Sequence, residues 1–596
     1  MRSFYKLLPT ILSTPELLKL FLVANLSTLI SLMEVTGLAL IAFVVINLGD
    51  LESALIALSI FPTSFNLEIF FTEPLSYSFI FCTFIIIYSL ITLIFSVLII
   101  RYISSYSQSI GSRIKELAVT KYLSLDWDEV TQLSPSESMS RIINDSEQTG
   151  DAIFFSMHLY SKVMLAIMII TLLFAYNSTL TVLLVAILAS SYFIVFTFFD
   201  SLTRANSKIT ASSKALIVKA VKNMFGALKE ISFYRSGSQV LENISMHNAR
   251  YAAAKSDNMA FSQIPRFIID SLILIMLVGL LIYMQFNSIE PAIFFATISV
   301  FGIAGLKLLP AFQNIFYFAH EINSRAAYIE NISKLSLRGI NNFESSDELT
   351  QPSIQSLFFK NICYKYPQSK SQALKNLNIS INRGEKIALF GQSGSGKSTF
   401  IDILLALIEP ETGEIEINNK MVDSRKLQKF RDKFAYVPQK IYFLEGSLRD
   451  NIVFGNNKNF SEDKLDTLMR NDRLKELINN LPLGLETILS DETQLVSGGQ
   501  KQLIGIIRAL LRGGDILILD ESTSAMDSRL EKQIYEIIFN STFSTFISIT
   551  HKSTLLKNFD QIYLFHDGEI KASGSFEELT ASSALFQSML KEPIQD

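Results

Sequence analysis

The sequence predicts a membrane all-α six-helix domain followed by an α/β domain of the P-loop type. Three observations support this fold class. Long apolar runs are confined to the first half, the run Ile387–Phe390 leads into a glycine-rich loop, and short apolar strands alternate with helical patterns beyond it. We therefore predict a transmembrane domain with long cytoplasmic extensions at 1–340, a linker at 341–352 and the α/β domain at 353–596.

Composition narrows the class of protein. A chain of 596 residues is too long for one hydrophobic core. The chain is more apolar than a typical cytosolic enzyme, with 49% hydrophobic residues, 18% charged residues and a mean hydropathy of +0.32. This composition indicates membrane spans. A net charge of −4 without a basic stripe argues against nucleic acid as a partner. Two cysteines and five scattered histidines argue against a disulfide framework and a protein metal cluster.

Six apolar runs of about 20 residues are candidate membrane helices. The third and fourth are separated only by Asn177, Ser178 and Thr179, which predicts a tight antiparallel hairpin. The six predicted crossings are Leu18–Leu48, Phe79–Ile100, Ile153–Tyr176, Leu180–Phe199, Phe267–Met284 and Ala292–Phe318.

The loops predict the orientation of these helices. The segment Asp200–Arg266 carries many lysines and arginines, whereas Asp50–Ser76 carries only acidic charges. Because cytoplasmic loops retain Lys and Arg, the long polar segments should face the cytoplasm, and helices two to five should project beyond the bilayer. Met1–Lys19 carries a short amphipathic pattern without a cleavage site, and we expect an interfacial helix there.

The loop Gly391–Thr399 has the composition of a phosphate cradle. It follows a strand and opens a helix, so backbone N–H groups and the positive helix end face an anion. We expect Lys397 to reach the outer phosphates of ATP and Ser398 to offer its hydroxyl to Mg²⁺. The predicted ATP-binding residues of this loop are Gly391, Ser393, Gly394, Ser395, Gly396, Lys397, Ser398 and Thr399.

Two further segments carry candidate chemistry. The apolar strand Ile516–Leu519 ends in Asp520 and Glu521, where a water-mediated Mg²⁺ ligand and a catalytic base are needed, although a buried strand with an acidic edge is equally compatible. The run Ser497, Gly498, Gly499 and Gln500 precedes a helix and can present a second anion-binding helix start; a plain N-cap would need only the serine.

With these motifs in order, the second half resembles the nucleotide-binding domain of ABC transporters, and nearly the whole chain resembles an exporter-type half-transporter with fused domains. The resemblance implies that Tyr366 stacks on adenine, that Gln439 senses Mg²⁺, and that Asp527 belongs to the D-loop. It implies a catalytic set of Glu521, His551 and Gln439, and a metal set of Ser398, Gln439 and Asp520. The chain departs from the family pattern at Val496, Leu503 and Lys552, and it lacks the Gly-Glu-Arg-Gly pattern of many drug exporters before Val496.

In that family the signature segment of one subunit, which corresponds here to Val496–Gln500, closes on the glycine-rich P-loop of another, here Gly391–Thr399. The resemblance therefore implies a homodimer with two equivalent ATP sites. It also implies a multi-pass protein of the cell (inner) membrane whose ATP-binding domain is cytoplasmic. The expected levers between the domains are short helices near Tyr122–Thr131, which holds the only tryptophan, and near Phe233–Asn243.

Two charges within predicted spans matter for function, Glu34 in the first and Lys307 in the sixth. Each would cost about 2.5 to 3.5 kcal/mol at the bilayer centre, so each should face a partner or water. A structural ion pair and a polar patch in a translocation cavity are both compatible. Glu34–Gly37 and Lys307–Pro310 resemble bacterial lipid-linked oligosaccharide flippases, which implies an amphipathic, lipid-linked substrate drawn from membrane lipid. An exporter of hydrophobic drugs or peptides and an ATP-gated channel or regulatory subunit are the alternatives.

Overall fold

A computed structural model describes residues 2–47, 74–286, 291–335, 351–367, 369–455, 461–470, 475, 478, 481–490, 495–523, 526, 528–550 and 552–591. The chain divides into two compact units. The first comprises Met1–Leu125 and Gln132–Glu344, and the second comprises Asp126–Thr131 and Ser345–Asp596. Most of the predicted linker at 341–352 falls outside the described residues, so the exact domain boundaries stay a prediction.

In the described residues of the first unit, all regular secondary structure is helical. Three helices, Pro74–Leu123, Ser178–Gly226 and Gly237–Phe286, have 49 or 50 residues and are therefore about 75 Å long. This is far more than the ~30 Å hydrocarbon core, in keeping with the predicted extensions beyond the bilayer. A short π-helical segment, Arg141–Asp145, precedes the helix Ser146–Tyr176. The helices are α1 (Arg2–Ile11), α2 (Thr14–Asn47), α3 (Pro74–Leu123), α4 (Trp127–Gln132), α5 (Pro135–Ser140), α6 (Ser146–Tyr176), α7 (Ser178–Gly226), α8 (Leu228–Tyr234), α9 (Gly237–Phe286), α10 (Pro291–Ser324) and α11 (Ala326–Lys334).

Four helical stretches of the described chain are long and apolar enough to cross a membrane: Thr14–Ile41, Cys82–Leu123, Pro135–Tyr176 and Val300–Ser324. They overlap the first, second, third and sixth predicted crossings. The predicted fourth and fifth crossings lie within α7 and α9, where several side chains are outside the description. The count of six crossings therefore stays a prediction. The predicted hairpin at Asn177 is present, and the Asn177 side chain caps α7 by accepting a hydrogen bond from the backbone N–H of Leu180 at 3.1 Å.

The helix α1 is present where the amphipathic pattern predicts one, and its position at the membrane interface stays a prediction. Its apolar side chains Phe4, Leu8 and Ile11 are buried in one cluster with Ile329 and Ile332 of α11. Protein therefore covers the apolar face of this amphipathic helix. The pattern itself was read correctly, because an amphipathic helix buries one face against whichever apolar surface is available.

Small polar side chains join α2 to α6. Ser31 Oγ donates to the Ser161 carbonyl at 3.0 Å, and Ser161 Oγ donates to the Ser27 carbonyl at 3.1 Å. All three serines are buried. Small residues let two helix backbones approach closely within a membrane, and these hydrogen bonds satisfy the hydroxyls there. They fix the register of α2 against α6.

The second unit is the predicted α/β domain. A six-stranded sheet has the order β12-β11-β3-β10-β9-β6, in which only the β11–β12 pair is antiparallel. A four-stranded antiparallel sheet has the order β2-β1-β4-β5. The strands are β1 (Ser356–Tyr364), β2 (Leu374–Asn382), β3 (Lys386–Gly391), β4 (Thr412–Ile417), β5 (Lys420–Val422), β6 (Phe434–Val437), β7 (Gly446–Ser447), β8 (Ile488–Leu489), β9 (Ile516–Asp520), β10 (Thr545–Ile549), β11 (Gln561–His566) and β12 (Glu569–Gly574).

The parallel strands form the core of this unit. All five residues of β9 and all five of β10 are buried, as a parallel sheet covered on both faces requires. The helices are α12 (Lys397–Leu404), α13 (Ser424–Gln428), α14 (Leu448–Val453), α15 (Glu462–Met469), α16 (Gly498–Arg512), α17 (Ser528–Phe539), α18 (Ser553–Leu556), α19 (Phe576–Ser582) and α20 (Ala584–Lys591).

The short helix α4 begins in the segment Asp126–Thr131, which groups with the second unit although both flanks belong to the first. Within that unit the charge of Asp126 acts on the guanidinium of Arg431. The helix α4 carries the predicted tryptophan, Trp127, and its role as a lever stays a prediction.

Candidate functional site

The glycine-rich loop lies between the carboxyl end of β3 and the start of α12. Gly391, Gly394 and Gly396 have φ values of 154°, 79° and 104°, which favour glycine. A Cβ on Gly391 would lie 2.2 Å from the Phe565 carbonyl oxygen, and one on Gly396 would lie 2.8 Å from the Ala373 carbonyl oxygen. A side chain at either position would therefore collide with the neighbouring backbone. The loop fits a phosphate chain, which binds to backbone N–H groups.

Lys397 lies beneath this loop and is only 4% exposed. Its Nζ donates hydrogen bonds to the carbonyl oxygens of Gly391 at 2.7 Å and Gln392 at 2.8 Å. Burial lowers the pKa of Lys397 to about 8, although the negative charges of Glu521 and Asp520 oppose this shift. The loop thus holds a cation that titrates near neutral pH.

We expect ATP affinity to fall as the pH rises through about 8, the pKa of Lys397. Below this pH the ammonium is charged and attracts phosphate, and above it the neutral amine does not. Because the triphosphate raises the pKa of the lysine beside it, binding near this pH should take up protons. Titration with a fluorescent ATP analogue between about pH 6.5 and 9.5 measures the effect. Lys397→Arg keeps its charge and should flatten the profile; a flat wild-type profile would contradict the expectation.

Two carboxylates, Asp520 and Glu521, lie at the carboxyl end of β9. This strand belongs to the same sheet as β3, which leads into the glycine-rich loop. Asp520 accepts a hydrogen bond from the Tyr436 hydroxyl at 3.2 Å, and burial raises the pKa of its carboxyl. Glu521 accepts a hydrogen bond from Gln439 Nε2 at 2.6 Å. The structure therefore brings together Gln439 and Glu521, which the sequence separates by 82 positions. Their catalytic roles stay predictions.

The backbone of Glu521 is strained. Its φ of 47° lies in the left-handed region, which costs a residue other than glycine about 1 to 3 kcal/mol. Such strain is typical of functional sites, because the surrounding fold must hold the side chain in an unfavourable conformation. Here it turns the chain sharply after the buried strand and directs the carboxylate to Gln439.

The residues predicted to hold Mg²⁺ provide the oxygen ligands that this ion prefers. Ser398 is exposed in the first turn of α12, while Asp520 and Gln439 both lie beside β9 and β6. Mg²⁺ is usually bound by one or two carboxylates together with substrate phosphates, so three protein carboxylates are not needed. The donor set fits a magnesium ion that binds together with ATP.

Tyr366 lies beside the first turn of α12. Its hydroxyl is 3.1 Å from Thr399 Oγ1, and its ring packs edge-on against Tyr364 with centroids 5.0 Å apart. The ring is thus close to the glycine-rich loop, as an adenine-binding aromatic must be. Stacking on adenine stays a prediction.

The predicted signature forms an exposed helix start. Ser497 is the N-cap of α16: its Oγ accepts from the Gln500 N–H at 3.3 Å, and Gln500 Oε1 accepts from the Ser497 N–H at 2.7 Å. Ser497 and Gly498 are exposed. Among the described residues, no hydrogen bond or ion pair joins Ser497, Gly498, Gly499 or Gln500 to the glycine-rich loop. His551 and Asp527 lie outside the described residues.

Three charged side chains of the membrane helices, Glu34, Lys162 and Lys307, form one cluster. Lys307 Nζ lies 3.3 Å from Glu34 Oε2, so the pair that the sequence left open is present. Lys162 Nζ lies 3.9 Å from the other oxygen, Glu34 Oε1. Two lysines and one glutamate give the cluster a net charge of +1. The Lys307 side chain is 45% exposed, which leaves room for a ligand in addition to the pair.

Sequence reasoning missed two residues of these sites. Lys162 lies inside the predicted third span and carries the same signal as Glu34 and Lys307, a charge in an apolar run. Tyr436, which donates to Asp520, looks like an ordinary strand residue, and the sequence does not indicate that its hydroxyl is placed there.

Comparisons with known proteins agree with this geometry. A family profile described as ABC transporter matches residues 374–524. A putative export ATP-binding/permease protein of Rickettsia bellii is 27% identical over 504 residues, covering 82% of this chain and 85% of that protein. The ATP-dependent lipid A-core flippase of Alkalilimnicola ehrlichii is 34% identical over 232 residues, which is 39% of each chain.

A solved structure of a bacterial Atm1-family ABC exporter with ATP bound has a TM-score of 0.78 to this chain at 18% identity. The match covers 97% of this chain and 98% of that one. At this identity the likeness concerns the fold, and it confirms the predicted fold class.

Proposed function

Because the chain is a half-transporter of the ABC exporter class, and thus an ATPase coupled to transmembrane transport, we propose that its homodimer flips an amphipathic, lipid-linked substrate across the cell (inner) membrane. The substrate is a lipid-linked oligosaccharide or a surface polysaccharide precursor. The protein is a multi-pass membrane protein, and we assign its ATP-binding domain to the cytoplasmic side.

The cluster of Glu34, Lys162 and Lys307 is the observation that carries this proposal. Charges are expensive within membrane spans and are usually functional there. A net charge of +1 among apolar helices suits a substrate with an anionic head and an apolar tail. The lipid A-core flippase among the relatives moves a lipid by its name, which agrees with a substrate of this kind.

The positions of the side chains in the ATP site support the roles that we propose for them. ATP and Mg²⁺ supply the reactive phosphate and the cation that neutralises its charge. Lys397 holds the outer phosphates, while Ser398 and Asp520 hold the metal side of the site. Glu521 orients and deprotonates the attacking water, with Gln439 holding its carboxylate at 2.6 Å.

Two copies complete each site in this proposal. The exposed start of α16, with Ser497 and Gly498, is free of the glycine-rich loop in the described part of its own chain, so the loop of a second copy can use it. Backbone N–H groups at that helix start then face the triphosphate from the opposite side. ATP favours the closed pair, and hydrolysis followed by phosphate release reopens it.

Substrate-stimulated ATP hydrolysis by the purified protein in liposomes tests the proposal. We expect a polyprenyl pyrophosphate-linked oligosaccharide to raise the ATPase rate, and to be flipped, whereas hydrophobic drugs and peptides should have little effect. Stimulation by drugs or peptides alone would favour an exporter of those compounds. An ATP-dependent ion conductance without flipping would favour a channel, and either result would reject the proposed substrate.

A further inference from the structure

Two lysines approach the two oxygens of a single carboxylate in the membrane domain. Lys307 Nζ lies 3.3 Å from Glu34 Oε2 and Lys162 Nζ lies 3.9 Å from Glu34 Oε1. The three side chains come from three different helices, α10, α2 and α6. The two ammonium groups are therefore arranged around one small anion with two accessible oxygens, a geometry that a phosphate group also offers.

The surroundings hold Glu34 and Lys162 in place. Ser161, next to Lys162, is tied to Ser27 and Ser31 of α2 by the hydrogen bonds described above. Next to Glu34, Tyr88 of α3 donates to the Met33 carbonyl at 2.9 Å. These hydrogen bonds fix the backbones that carry Glu34 and Lys162.

Exposure differs among the three side chains. Lys307 is 45% exposed, while Lys162 and Glu34 are 24% and 20% exposed. A ligand can therefore approach Lys307 directly, whereas it must replace Glu34 to contact both lysines. The pairing of one carboxylate with two ammonium groups leaves a charge of +1, which Glu34 cannot neutralise.

Resting on the proposed transport of a lipid-linked substrate, we infer that Lys162 and Lys307 bind the phosphate of that substrate and that Glu34 is an internal anion competing for the same two lysines. Competition weakens the binding of the phosphate and speeds its release. The cluster thus selects an anionic head group and also limits how tightly that group is held, which a transporter needs in order to let its substrate go.

The Michaelis constant of lipid-stimulated ATP hydrolysis in proteoliposomes tests this inference, with a polyprenyl pyrophosphate-linked oligosaccharide as the probe. Glu34→Gln removes the competitor and should lower the constant by roughly fivefold, the size of one partly exposed charge interaction. Lys162→Gln should raise the Michaelis constant.

Inorganic pyrophosphate should inhibit the stimulation of ATP hydrolysis by the lipid. If pyrophosphate alone stimulated hydrolysis as well as the lipid does, the site would belong to a soluble phosphate compound and the inference would fail.

Glu330→Gln is the matched control, because this substitution makes the same chemical change away from the cluster. Glu330 pairs with Lys334 at 3.0 Å on an exposed part of α11. This variant should leave the constant unchanged. If Glu34→Gln does not fold, Glu34→Asp withdraws the carboxylate by one methylene and should give a smaller fall. A wild-type protein that ignores the lipid rejects the proposed function, whereas a stimulated wild type with an unchanged or raised constant in both Glu34 variants rejects only the competition.

Discussion

Replacing Glu521 by glutamine should lower ATP turnover by about 100-fold or more, the usual contribution of a general base. The amide keeps the shape of the side chain but cannot accept a proton from water. ATP binding should persist, because Lys397 and the glycine-rich loop remain intact. Phosphate release by the purified full-length chain measures the turnover, and binding of a fluorescent ATP analogue measures the retained affinity.

The same variant also tests dimer formation. With hydrolysis blocked, the Glu521→Gln protein should accumulate as an ATP-bound dimer in light scattering of the detergent-purified chain. Glu414→Gln, on an exposed strand position of the same unit, is the control and should behave like the wild type. A wild-type protein that stays monomeric with ATP and still hydrolyses it at full rate would contradict the two-copy site.

Reversing the charge of Lys307 should abolish transport while ATP hydrolysis without substrate continues. Lys307→Glu changes the cluster from +1 to −1, so an anionic head group is repelled where it was attracted. The ATP site belongs to the second unit, and its side chains are unchanged. Flipping of a fluorescent lipid-linked oligosaccharide in proteoliposomes, with basal ATPase activity from the same preparation, measures both effects.

Two further variants separate charge from folding at this position. Lys307→Arg keeps the charge and should retain most of the transport. Combining Lys307→Glu with Glu34→Lys exchanges the two partners and returns the net charge to +1, so part of the transport should return. Normal flipping by Lys307→Glu alone would show that the substrate does not meet this cluster.

Much of the architecture follows from local patterns. Apolar runs have a length fixed by the bilayer, and a glycine loop between strand and helix has a length fixed by phosphate geometry, so both can be recognised without tertiary information. Gln439 and Glu521 were assigned to one catalytic set only through the family resemblance, because nothing in either segment indicates the other, and their hydrogen bond was not predicted. The parallel order of β6 beside β9 places them together.

Other features depend on tertiary contacts that patterns do not carry. An amphipathic helix such as α1 reads the same whether lipid or α11 covers it, and here the structure has protein against Phe4 and Leu8. Lys162 had a recognisable signal, but the partner it shares with Lys307 depends on how α2, α6 and α10 pack. The strained backbone of Glu521 also cannot be read from its residue type, since glutamate rarely adopts a positive φ.

The cap of α16 has a consequence for molecular recognition. Ser497 Oγ uses a lone pair to accept from the Gln500 N–H, so this bond does not consume the hydroxyl proton. The reciprocal bond, from the Ser497 backbone N–H to Gln500 Oε1, holds the serine backbone in place. The Ser497 side chain is therefore already ordered in the folded domain and can donate its hydroxyl proton to an acceptor on a binding partner. Because this ordering took place on folding, little further conformational entropy is lost on association.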